Sequence, residues 1–287
     1  MRLSSLLAAT ALALLAAPSF ANNHKNHNKP AAAQKAEAET AALLDKAIAG
    51  EHRSAAAKAR DRYRNPKETL LFFGLRPTMT VVEISPSAGW YTDIIAPVLK
   101  DRGVFIAAHN NPNGSANAQK QRADYIARLA AAPEVFGKPA VTSFGRQLLG
   151  NIAAPGSADM ILTFRNVHNW QMAGFAPQAF QAFYTALKPG GILGIEEHRL
   201  PENRTEDEKT AKSGYMKQSA VIAMAEAAGF KLVATSEINA NPKDTADHPE
   251  GVWTLPPNLR LGDKDREKYT AIGESDRMTL KFMKPAR

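Results

Sequence analysis

An α/β protein built on a doubly wound, mostly parallel seven-stranded sheet is what this sequence predicts, with an antiparallel edge strand and a helical extension at the N-terminus. Three observations predict it. Short apolar runs alternate with amphipathic stretches from Thr80 onward, the pattern of strands joined by helical crossovers. The last two apolar runs follow one another without a clear helix between them, so they are expected to pair antiparallel. With 287 residues, 44% hydrophobic and 22% charged, the chain has material for an ordinary buried core and is neither disordered, collagen-like nor multi-span.

The N-terminus is expected to carry an export signal over residues 1–21. Arg2 supplies a positive start, Leu3 to Ala17 is apolar and uncharged, and Pro18 breaks the run. Ser19-Phe20-Ala21 then has the small-x-small form that a signal peptidase reads. The apolar run falls short of the ~20 residues that span a bilayer. Cleavage after Ala21 would therefore leave a periplasmic or secreted protein with no stable membrane anchor; a retained anchor is the alternative. No cysteine occurs, which excludes disulfides, thiolate metal sites, iron–sulfur clusters and cysteine nucleophiles, and suits an oxidising compartment.

Residues 22–36 are polar and of low complexity and read as a flexible tether. Within it, His24 and His27 read as part of a solvated tail or as weak metal ligands. Residues 37–68 form the helical extension. Leu44 and Ile48 fall four apart among alanines, and the pattern continues to about Tyr63, where Asn65-Pro66 is expected to end it. The net charge is +8, and its densest basic stretch is Arg53, Lys58, Arg60, Arg62, Arg64 and Lys67. A nucleic-acid surface would need its charges clustered with aromatics on one face, and Glu51, Asp61 and Glu68 interrupt that stretch, so no nucleic-acid partner is expected. The stretch reads as a solvated helix face, with attraction to an anionic surface or ligand as the alternative.

The main domain is read over 69–287. Thr80–Ile84 is a short apolar strand, followed by a helix from Trp90 to Ala96 that Pro97 kinks or stops. Val104–Ala108 is the second strand. A helix over about Ala116–Ala131 leads to a third strand near Val141, and Ala158–Phe164 is the fourth. The next helix carries Pro177 in its first turn and Phe180, Phe183 and Leu187 on one face. Lys188-Pro189-Gly190-Gly191 stops it before the fifth strand, Ile192–Ile195. Val221, Met224, Ala225 and Ala228 mark the buried stripe of a further helix, with Gly229 as its cap. Lys231–Ile238 and Met278–Phe282 are the last two strands. The link between them, about 239–276, holds Pro242, Pro249, Pro256 and Pro257 and has the length of a lid, a binding element or a disordered segment.

Four motifs stand in order along this domain: Val81-Val82-Glu83-Ile84-Ser85-Pro86-Ser87-Ala88-Gly89, Ala158-Asp159-Met160-Ile161-Leu162, Leu187-Lys188-Pro189-Gly190-Gly191-Ile192-Leu193, and Ala227-Ala228-Gly229-Phe230. Together they resemble the class I S-adenosylmethionine-dependent methyltransferases over about residues 69–284. The wording around Trp90-Tyr91-Thr92 is similar to an exported, little-characterised branch of predicted methyltransferases. The resemblance implies a Rossmann-like sheet, S-adenosylmethionine as cofactor, and methyl transfer to an oxygen or nitrogen of a small-molecule substrate. It also implies that Glu83, Ser85, Ser87 and Gly89 belong to the cofactor-binding loop and that His109, ending the second strand, faces the ribose. Two positions depart from the family. Ser85 and Ser87 stand where the family has glycines, with Pro86 between them, so the loop must take another shape. His109 stands where the family has an acid, and a neutral imidazole cannot accept from both ribose hydroxyls.

In an open parallel sheet, ligands settle beyond the carboxyl ends of the strands where strand order reverses. The residues expected there are Glu83, His109, the run Phe164 to Trp170, the run Glu196 to Arg199, and Asp247-His248. Asn166 or His168 would orient the nucleophile, as the resemblance implies, and His168 or His198 would accept its proton. Arg165 and Arg199 would clamp a carboxylate or phosphate, and Trp170 would stack on a planar group. Two other readings use the same residues. One is a binding protein that has kept the fold and lost methyl transfer. The other is a transition-metal site drawn from His109, His168, His198 and Glu197.

Overall fold

The computed structural model describes residues 30–204 and 210–286. The expected export signal, and the part of the expected tether that holds His24 and His27, lie outside those residues. The N-terminal extension consists of four helices: α1 (Ala31–Ala49), α2 (Ala55–Lys58), α3 (Asp61–Arg64) and α4 (Pro66–Phe73). Residues 31–36, read as tether, are thus helical. Asn65 takes a left-handed turn, φ 39° and ψ 54°, and Pro66 opens α4 instead of closing off helical structure. A proline at the first helical position loses nothing, because its missing N–H would have had no partner there. The expected boundary at 68–69 falls inside α4, whose Leu70 and Phe73 are fully buried.

The remaining elements are β1 (Thr80–Ile84), α5 (Thr92–Leu99), β2 (Val104–His109), α6 (Ala116–Ala130), α7 (Pro133–Phe136), β3 (Ala140–Ser143), β4 (Ala158–Phe164), α8 (Val167–Met172), α9 (Ala176–Ala186), β5 (Leu187–Leu200), β6 (Met216–Lys217), α10 (Gln218–Ala227), β7 (Lys231–Ser236), α11 (Arg266–Ile272) and β8 (Arg277–Met283). The sheet runs β3-β2-β1-β4-β5-β8-β7, with β6 beside β5 off this path. Strands β1 to β5 pair in parallel, and β8 is antiparallel to both of its neighbours. This is the predicted doubly wound α/β sheet with an eighth, two-residue strand added. The antiparallel strand stands one place in from the edge, which β7 occupies.

Two local expectations are corrected. Helix α5 starts at Thr92 and runs through Pro97 to Leu99. A proline in mid-helix orphans the carbonyl four residues back; here His52 Nε2 donates to that Asp93 carbonyl at 2.7 Å. The fifth strand runs far beyond Ile195. Glu196, Glu197 and His198 lie within it, opposite Thr279, Met278 and Arg277 of β8. A long antiparallel neighbour supplies the ladder partners that keep these polar residues extended.

Side chains alternate across the sheet. Val81, Met160 and Leu162 pack with Leu44, Phe73 and Ile94 on one face. Val82, Ile161 and Leu193 pack with Phe180, Phe183 and Val221 on the other. The N-terminal extension is therefore part of the core, with α1 lying on α4 and α5. Strand order reverses between β1 and β4, so the carboxyl ends of these two strands open the crevice. Among the described residues no helix is long and apolar enough to cross a membrane.

Candidate functional site

A cavity of about 440 Å³ occupies that crevice. Residues 84–88 after β1 form one rim and 164–166 after β4 the adjoining one, while 252–258 of the long link wall the opposite side. The link is thus ordered at this point, with Trp253, Leu255, Pro256 and Pro257 against the cavity.

The loop after β1 keeps a left-handed backbone without the glycines. Ser85 has φ 52°, Ser87 φ 56° and Gly89 φ 90°. Each serine bears a cost of ~1–2 kcal/mol that glycine would avoid. Gly89 is backed by α6, since a Cβ there would run into the Arg128 guanidinium and the Tyr125 ring. Beneath the loop, Thr92 Oγ1 donates to Glu83 Oε2 at 2.6 Å. Burial pushes the Glu83 carboxyl up to about 8, so its neutral form dominates at neutral pH.

His109 has no nitrogen to spare. Its Nδ1 accepts the Asn110 N–H at 2.7 Å, so Nε2 carries the proton and donates to the Ser87 carbonyl at 3.0 Å. Burial also lowers its pKa and keeps it neutral. The residue pins the loop to the end of β2 and does not line the cavity.

His168 and His198 do meet there, with ring centroids 5.3 Å apart. Glu197, wholly buried, accepts from His168 Nδ1 at 2.9 Å. It also accepts the backbone N–H of His198 at 2.8 Å and of His168 at 3.2 Å. A carboxylate only accepts, so Nδ1 holds a proton, and Nε2 is the nitrogen that can present a lone pair. His198 Nδ1 bonds Ser275 Oγ at 2.5 Å. Burial and the nearby His168 and Arg277 hold His198 well below its ordinary pKa, so it is uncharged.

Arginines make the remaining wall. Arg165, itself left-handed at φ 59°, donates through Nη1 to Glu196 Oε1 at 2.8 Å. Arg277 Nη1 reaches the same oxygen at 3.2 Å, and Tyr91 Oη donates to Oε2 at 2.9 Å. Glu274 receives Arg60 Nε at 2.5 Å, Arg277 Nη2 at 2.5 Å and Arg64 Nε at 3.3 Å. Burial alone would raise Glu274, but Arg277, Arg64 and Arg60 outweigh it and hold the carboxyl down at about 2. Burial, then crowding by Arg165, brings Arg64 down to about 9.

The basic stretch read as a solvated face is therefore largely built into the protein. Arg53 is buried in a two-pronged pair with Asp61, at 2.6 and 2.9 Å, and Arg64 is buried in the cavity wall. Asn166 lines the cavity, but its amide nitrogen is shared among the Ile84 and Phe164 carbonyls and Thr163 Oγ1. Arg199 is taken up by Glu237 and Asp276, and His248 Nε2 by Asp244, all away from the cavity. Trp170 packs edge-on against Phe144 and Phe183 in the core and does not line the cavity. Sequence reasoning missed the cavity roles of Arg277, Glu274 and Trp253, which no local motif marks, and that of Tyr91, to which the Trp90-Tyr91-Thr92 run assigns no role.

No family model matches the sequence, and no curated protein matches it. Solved structures do. The fold is similar to that of a SAM-dependent methyltransferase from Aquifex aeolicus, at 14% identity over 79% of this chain and 93% of that one, TM-score 0.53. It is also similar to the [4+2]-cyclase SpnF, at 16% identity over 90% of this chain and 97% of that one, TM-score 0.56. The chain therefore has the mixed α/β, Rossmann-like fold of the methyltransferases. A cyclase on the same fold shows that this architecture hosts more than one reaction, so the chemistry must be argued from the site.

Proposed function

We propose that this chain is an exported methyltransferase that moves a methyl group from S-adenosylmethionine to an oxygen or nitrogen of a small molecule. The observation that carries the reading is the His168–Glu197 pair, which opens a proton-accepting imidazole onto the same cavity as the loop after β1. The loop suits the methionine end of the cofactor. Its backbone is held left-handed at Ser85, Ser87 and Gly89, and it stands at the carboxyl end of β1, where strand order reverses toward β4. The ribose end is held less firmly, because both nitrogens of His109 are spent inside the protein.

When bound, S-adenosylmethionine supplies an activated methyl group. The chain's own work is to position the acceptor, shield it and remove its proton. Glu197 fixes the tautomer and angle of His168, so that Nε2 is the nitrogen offered to the acceptor. Trp253, whose ring lies 6.1 Å from that of His168, covers this side of the cavity. Calorimetric titration of the purified chain with S-adenosylmethionine and its demethylated product tests the proposal. Saturable heat for both is expected; no heat and no thermal shift up to millimolar ligand would overturn it.

One observation favours a second reading. His168, Glu197 and His198 each bring a ligand atom within 4.8 Å of the others. Because Glu197 already holds Nδ1 of His168, it would act as the outer partner of a metal bound at imidazole Nε2 atoms, an arrangement common at metal sites. Two imidazoles leave the coordination sphere short of the usual three or four protein ligands, which places this reading second. Elemental analysis of untagged protein decides: methyl transfer through His168 expects no stoichiometric zinc or copper, whereas one ion per chain would favour the metal.

A further inference from the structure

We infer that the arginine wall of the cavity is a clamp for the carboxylate of a small planar organic acid, which presents its nucleophilic atom to the imidazole pair. That this acid is the methyl acceptor rests on the function proposed above; the clamp itself does not.

Cations outnumber anions on the cavity lining. The guanidiniums of Arg60, Arg64, Arg165 and Arg277 line the cavity and share the carboxylates of Glu196 and Glu274. The other acid on the lining, Glu83, adds little negative charge near pH 7, because burial holds it protonated. Positive charge is thus left over in a recess, where an anion is attracted far more strongly than at an open surface.

Three of these guanidiniums also keep unspent donors. Among side-chain acceptors of the described residues, Arg60 and Arg64 each use only Nε, on Glu274, and Arg165 uses only Nη1, on Glu196. The only side-chain nitrogen or oxygen that is both buried and unpartnered among the described residues is Arg53 Nε. The remaining N–H groups of Arg60, Arg64 and Arg165 are therefore not sealed in protein, and all three residues line the cavity. Arg64 is 5% exposed, so its free donors look into the recess rather than into bulk water. Several guanidinium edges at one recess suit the two oxygens of a carboxylate.

The apolar lining and the short span of the site set the ligand's body and size. Tyr91, Phe164, Trp253 and Leu255 give the same cavity an apolar side, suited to a planar group. Ser275 Oγ lies 2.5 Å from His198 Nδ1 and 3.3 Å from Arg277 Nε, and His198 and Arg277 are register partners across β5 and β8. The clamp and the imidazoles are thus one side chain apart. A compact molecule spans both.

The test is calorimetry on the purified chain with para-hydroxybenzoate, its neutral amide and inorganic phosphate, each with and without S-adenosylmethionine. The acid is expected to bind about tenfold or more tighter than the amide. Arg60→Gln and Arg64→Met are each expected to weaken the acid about tenfold and leave the amide unchanged. Should the buried Arg64 variant fail to fold, the partly exposed Arg60 variant still decides. Equal binding of acid and amide, or no loss in Arg60→Gln, would overturn the clamp. Phosphate binding tighter than the acid would overturn the organic body. Acid binding without any cofactor binding would end the methyl-transfer reading and leave the clamp standing; cofactor binding without preference for the acid would end the clamp alone.

Discussion

Glu196→Ala is expected to lower folding stability by about 3–5 kcal/mol, the range seen when one partner of a buried ionic network is removed. Glu196 is fully buried and receives Arg165, Arg277 and the Tyr91 hydroxyl. Without it, Arg277, at 1% exposure, keeps only Glu274 as a carboxylate partner, and Arg165 keeps none. Arg165 and Arg277, with Arg64 nearby, pull the Glu196 carboxyl below its ordinary range against the push of burial, so it is ionised at neutral pH. Glu196→Gln keeps the shape and loses the charge, and is expected to retain part of the loss. Urea denaturation measures both; a change below ~1 kcal/mol for the alanine variant would show that the arginines find water at no cost.

The same wall sets an acid limit on stability. Glu274 has a folded-state pKa of about 2 against an ordinary 4.5. A group depressed in the folded state binds its proton more readily when unfolded, so stability falls as pH falls. Its contribution is complete above about 4.5 and is lost on the way down to about 2. Glu274→Gln is expected to flatten this part of the stability–pH curve, measured in the same urea series.

What was legible in the sequence follows from what local pattern encodes. Strands read clearly because Val81, Val82, Met160, Ile161 and Leu162 are apolar on both faces, as buried parallel strands require. Proline effects misled wherever tertiary contacts intervened: His52 rescues the carbonyl that Pro97 orphans, and the left-handed Asn65 turns Pro66 from a stop into a start. The imidazole pair was readable because the fold sets His168 just after β4 and His198 toward the carboxyl-terminal part of β5, although the strand end expected at Ile195 lies further on. The arginine wall was not. Arg64 meets Glu274 across a separation of 210 residues, and Arg277 reaches the Tyr63 carbonyl across 214. No periodicity records such a pairing, and the net charge of +8 does not say which cations turn inward. His109 shows the converse: its place at the end of β2 was correct, but the loop that folds onto it decided what its nitrogens do.

His168→Ala is expected to reduce kcat by ~10²–10⁴-fold, the usual worth of a positioned general base, with little change in KM for the methyl donor. The ring is buried to 3% exposure, lines the cavity, and is locked through Nδ1 by Glu197, which leaves Nε2 as its sole proton acceptor. Added imidazole should restore part of the rate to the alanine variant by filling the vacated space, a response that a purely structural residue would not give. Glu197→Gln separates positioning from chemistry. A glutamine oxygen in the place of Oε1 can still accept from His168 Nδ1 and from the His198 N–H, but its amide hydrogens then face the His168 backbone N–H that Oε2 received. The ring is no longer held in one orientation, so kcat is expected to fall by less than in His168→Ala, and imidazole should not rescue it. If His168→Ala keeps its rate within about threefold, proton removal is not limited by this residue, and the base must be sought elsewhere on the cavity wall.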